Sequence, residues 1–147
     1  LDAIVADEIR RLCEGIEGAA EPPIEALLAA GSSALGNEAG IVLALSTKAE
    51  KLLYLSSLDL AVTSQLSPLL TERLKGFVRA GADPNHVAEL FLTVNAHINR
   101  RVILADWTAA QGAGFAATAL EALQPFLENP APLGKIIQTL RSKGQAR

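Results

Sequence analysis

Sulfur and aromatic rings are both scarce in this chain. One cysteine, Cys13, stands among 147 residues, and methionine is absent. A single thiol excludes an internal disulfide and any CxxC redox or metal motif, so Cys13 reads as a small hydrophobic core residue. The rings beyond two His are four Phe, one Tyr and one Trp. No basic stripe is interleaved with them and the net charge is -3, so nucleic acid is not an expected partner. No apolar run reaches the ~20 residues of a membrane span. The first residues lack the basic, apolar and small-residue order of a signal peptide. The expectation is therefore a cytoplasmic protein with no membrane partner. His86 and His97 are eleven residues apart with no thiol near them in the sequence, so no zinc site is expected, and no cofactor is expected either.

What is present is aliphatic. Half the residues are hydrophobic (50%), with Ala and Leu dominant and β-branched residues sparse. No segment alternates with period two. The fold class is accordingly all-α, a compact multi-helix bundle. The length fits one domain over residues 1–147, able to bury a core without staples. The surplus apolar surface is assigned to a subunit interface, making a homo-oligomer the expected assembly. The basic end "GKIIQTLRSKGQAR" reads as a solvated tail.

Punctuation residues divide the chain. A first helix is expected over about residues 2–18, with Ile4, Val5, Ile9, Leu12 and Ile16 on one face. "EPP" at 21–23 opens a second, to about Leu35, and "GNEAG" at 36–40 is a loop. Ser46 is placed as the cap of a third helix running to about Gln65, apolar nearly all round and hence buried on several sides. Pro68 begins a fourth helix that ends at Gly81, a residue suited to the left-handed cap. Asp83 caps a fifth, with Pro84 in its first turn, reaching about Asn99 or beyond. A further helical stretch over about 102–128 is interrupted by "GAG" at 112–114. "NPAPLG" at 129–134 is read as a linker before a short terminal helix, so that 129–147 is linker plus helix.

Three segments together, "LSTKAEKLLYLSSLDLA", "LKGFVRAGADPNHVAELFLTV" and "AHI", resemble the carboxymuconolactone decarboxylase and alkylhydroperoxidase-D-like superfamily over about residues 45–122. The resemblance implies an alkylhydroperoxidase-D-like all-helical fold and assembly with itself as a trimer or hexamer. Peroxidase-like members carry CxxC and a His ahead of the "AG" corner. Counting back from Gly81, those places hold Leu66, Leu69 and Arg73 here, none of which does thiol chemistry. Decarboxylase-like members use a Glu and a His four residues apart, and the matching places are Leu69 and Arg73. The implied function is a decarboxylase-like or lyase-like protein without redox thiols, performing acid/base chemistry on a small anionic or carbonyl metabolite. The alternative is a non-catalytic oligomeric scaffold or ligand-binding module.

The residues expected to carry such chemistry are few. His97 and Arg101 lie one turn apart at the border of the apolar stripe of the fifth helix. His97 is the candidate proton carrier, and Arg101 or Arg73 the substrate-binding residue for the anion. Asp59 is the acid of the third helix, on the side of Ser56 and Thr63, where burial would raise its pKa and make it a second catalytic candidate. A satisfied structural His, an interface Arg and an Asp paired to a buried Arg fit the same pattern and stay open. Trp107, the only indole, is read as a core or interface anchor. His86 belongs to a solvated helix start.

Overall fold

The computed structural model describes residues 2–18 and 44–145. The expected second helix and the loop at 36–40 lie outside the described residues. The described residues are helical apart from turns, with one isolated antiparallel bridge, Val78–Leu127. The chain divides into two compact units, Leu1–Arg73 and Leu74–Arg147. The family-like core expected over 45–122 thus draws residues from both.

In the first unit, α1 (Asp2–Gly18) packs along α2 (Lys48–Ala61). Val5, Ile9, Leu12 and Ile16 recur every three or four residues, and all four are buried. The α2 start differs from the expected one by a residue. Thr47, not Ser46, is the N-cap: its hydroxyl accepts from the Glu50 N–H, and the Glu50 carboxylate accepts from the Thr47 N–H. The reason is spacing, because Thr47 has Glu three residues on and Ser46 has Ala49. Only Tyr54, Leu55 and Leu58 of α2 are buried, while Leu53 and Leu60 are 59% and 74% exposed. The expectation of a helix buried on several sides is corrected accordingly. After Ala61 comes a π-helical turn, Val62–Leu66, and then α3 (Ser67–Leu74). Leu66 and Leu70 are fully buried.

In the second unit, α3 has already ended at Leu74, well before Gly81. The intervening turn brings Val78 beside Leu127, with the Arg79 N–H donating to the Phe126 carbonyl and the Glu128 N–H to that of Phe77. Gly81 does adopt the left-handed conformation, φ 88°. Asp83 caps α4 (Pro84–Ile103) through the Asn85 N–H, with Pro84 in the first turn as read from the sequence. Thr108 and Gln111 form a second capping box for α5 (Ala109–Leu123).

The "GAG" segment does not interrupt α5. Gly112 is buried where α5 crosses α4, and a Cβ there would stand 3.1 Å from Ile98 Cγ2 and 3.2 Å from Val102 Cγ2. The absence of a side chain is what allows this approach. A short 3-10 turn, Gln124–Phe126, leads to α6 (Ala131–Gln145), which lies along α5 and joins it through the Arg141–Glu121 ion pair. The linker read at 129–134 is therefore shorter than expected. Asn129 Oδ1 accepts from the Ala131 N–H, and Pro132 and Leu133 already belong to the helix; proline in a first turn starts helices as well as separating them.

Candidate functional site

The helix α4 ends without glycine. Ala105 takes the left-handed conformation, φ 62°. The Asp106 N–H donates to the Arg101 carbonyl and the Ala105 N–H to that of Val102, which together make a Schellman motif. The Trp107 N–H also donates to the Arg101 carbonyl. The chain is thereby folded back so that the indole meets the last turns of α4. A left-handed alanine is strained where glycine is not. Ala105→Gly is expected to stabilise the protein by about 0.5–1 kcal/mol, measured by urea unfolding; a loss of stability would show that the methyl group makes contacts outweighing the strain.

Around this turn lies a cluster of rings and one cation. The His97 ring meets Trp107 edge-on, with centroids 5.4 Å apart and planes at 83°. Phe115, from α5, is 5.4 Å from His97 and 5.2 Å from Trp107. The Arg101 guanidinium lies 4.8 Å from the Trp107 ring centre. His97 is exposed, Phe115 is 39% exposed, and Arg101 and Trp107 are half-buried. Arg101 Nε is buried and has no hydrogen-bond partner among the described residues. Sequence reasoning found His97 and Arg101 but missed Phe115. Its position against His97 follows from the close α4–α5 approach at Gly112, one helical turn earlier, and the only prior signal was that glycine.

The other candidates fall elsewhere. Arg73 is exposed and donates to the Glu17 carbonyl at 2.7 Å, covering the last turn of α1. Asp59 is exposed rather than buried, because one residue past Leu58 turns about 100° away from the buried stripe of α2. Thr63 reaches the Asp59 backbone carbonyl, not its carboxylate. The expectation of a buried acid is thus corrected. His86 is exposed, 3.6 Å from Asp83 at the helix start. Cys13 is half-buried, and burial, followed by the charge of Glu17, raises its thiol pKa, the opposite of what a nucleophilic thiolate needs.

Among the described residues, the acid that is buried is Glu8. It sits between Val5 and Leu12 on the apolar face of α1, a position visible in the sequence, and is 4% exposed. It pairs with Arg11 at 2.7 Å. Burial pushes its carboxyl above the ordinary 4.5, and Arg11 only partly offsets this. Burial, aided by the charge of Glu8, also pushes the Tyr54 hydroxyl up to about 12. A raised carboxyl favours the fold most when protonated, and that contribution is lost as pH rises through 4.5 and then through the raised folded value. Glu8→Gln is therefore expected to gain stability relative to the parent as pH goes from about 4 to about 7. Urea midpoints at several pH values measure it, and a gap that stays constant would refute it. Asp7, lowered by Arg10, and Glu50, lowered by the Thr47 N–H, act in the other sense and favour folding less as pH falls through their lowered values.

Among the described residues no helix is long and apolar enough to cross a membrane, and no group of three or more His, Cys, Asp or Glu is arranged to hold a metal. No protein-family model, curated protein or solved structure matches the chain.

Proposed function

We propose that this chain is a thiol-free relative of the carboxymuconolactone decarboxylase and alkylhydroperoxidase-D-like superfamily that binds a small organic anion at His97, Arg101 and Trp107. The resemblance in sequence supports the first half. The second rests on Arg101, a half-buried guanidinium stacked on an indole, with its Nε buried and lacking an acceptor among the described residues. A guanidinium drawn partly out of water favours an anion beside it, and its fork fits a carboxylate.

Binding takes precedence over turnover in this reading, because the neighbours that hold the His97 ring are two other rings rather than an orienting carboxylate. Proton transfer by His97 to a bound anion is the second reading, favoured by its exposure one turn from Arg101. Self-association as a trimer or hexamer belongs to the same proposal, supported by the exposed Leu53 and Leu60 of α2. Sedimentation showing a monomer at every concentration would withdraw that part.

Trp107 is the only tryptophan, so intrinsic fluorescence reports on the site directly. Cyclohexanecarboxylate is expected to change it saturably. Arg101→Gln is expected to weaken that binding by about 1.5–3 kcal/mol, the range for a hydrogen bond to a charged group. A response that is absent, or the same in the variant, would overturn the binding reading.

A further inference from the structure

The ring cluster says more about the anion than its charge. His97, Trp107 and Phe115 form a triangle with every centroid separation between 5.2 and 5.4 Å. None is stacked face to face: the planes meet at 83°, 49° and 44°. The near-perpendicular His97–Trp107 pair directs the positive edge of one ring toward the negative face of the other, the geometry their quadrupoles favour, and Phe115 is tilted against both. The arrangement is incomplete at the surface, because His97 is exposed and Phe115 is 39% exposed. Arg101 borders the same Trp107 ring. Aromatic surface and a guanidinium are therefore offered side by side, within the span of one small molecule. All four residues belong to the second unit, on α4, on α5 and in the turn between them.

From this juxtaposition we infer that the site selects an aromatic carboxylate: a ligand whose carboxylate is held by Arg101 and whose ring extends the His97–Trp107–Phe115 cluster as a fourth member. The inference rests on the anion-binding reading above and adds to it the ring. An aliphatic acid of the same size and charge satisfies Arg101 equally but lacks the quadrupole. Phe115 is then a specificity-determining residue rather than an anion-binding one. Gly112 acts through it as a positioning residue, since the close crossing of α4 and α5 sets Phe115 against His97.

The experiment compares benzoate with cyclohexanecarboxylate on the full chain, read by Trp107 fluorescence and checked by calorimetry. Benzoate is expected to bind about two- to tenfold more tightly, the range measured for one aromatic pair. Phe115→Leu keeps an apolar side chain at a partly exposed position, and circular dichroism verifies its fold. It is expected to weaken benzoate more than cyclohexanecarboxylate, so that most of the benzoate advantage is lost. Equal affinities for the two acids in the parent, with Arg101 dependence intact, would overturn the aromatic inference and leave the anion reading standing. A benzoate advantage undiminished in Phe115→Leu would also overturn it. Absence of an Arg101-dependent response to either acid would remove the anion reading and the inference together.

Discussion

Leu120→Ala is expected to lower the unfolding free energy by about 2–5 kcal/mol, the largest single loss among the changes considered. Leu120 is 2% exposed in the middle of α5, the helix that packs against both α4 and α6. Truncation there removes buried methyl groups and leaves a hollow that neighbouring helices can only partly close. Against a total stability of about 5–15 kcal/mol for a domain, the loss is a large share. Trp107 lies in the same unit and is the only indole, so urea unfolding followed by its fluorescence reads this unit specifically. Leu90→Ala is the control, since Leu90 is 42% exposed and its loss should cost less than about 1 kcal/mol. Equal costs for the two substitutions would show that Leu120 is not enclosed.

The second large effect is expected at Gly112. Leucine there would overfill the α4–α5 crossing, because even a Cβ would stand 3.1 Å and 3.2 Å from side-chain carbons of Ile98 and Val102. Those side chains are β-branched and restricted in χ1, so the helices must separate. The expected cost is about 1–3 kcal/mol. The same displacement carries Phe115 away from His97 and exposes Trp107, so the native emission should move to longer wavelength before any denaturant is added. A destabilised variant with unchanged native emission would separate the packing role of Gly112 from any role in assembling the site. An unchanged urea midpoint would refute the packing role itself.

How much of this was legible in the sequence depends on the range of the interaction concerned. The Asp83–Pro84 start and the left-handed Gly81 were readable because capping and backbone preference act over a few residues. The Thr47–Glu50 box was equally local, and the correct cap follows from counting three residues back from Glu50. The end of α4 was less distinct, because its Schellman position holds Ala105 where glycine is the usual marker. Glu8 was missed, although a charge on the apolar stripe of α1 was a signal that could have found it. The exposed state of Asp59, Leu53 and Leu60 was not legible, since an aliphatic helix reads the same whichever of its faces is covered. His97 and Arg101 were placed together by helical spacing alone, but Phe115 joins them only through the packing of two helices, and periodicity within one segment does not specify how closely two segments cross.

The π-helical turn at Val62–Leu66, where the Ser67 N–H reaches back to the Val62 carbonyl, has a consequence for counting. Such a turn holds one residue more than an α turn between its hydrogen-bonded ends. Side chains after Leu66 are therefore rotated out of phase with those before Val62, compared with an unbroken helix. Leu66, which is fully buried, lies inside that turn. Counting 100° per residue straight through from Lys48 therefore assigns the residues of α3 to the wrong faces.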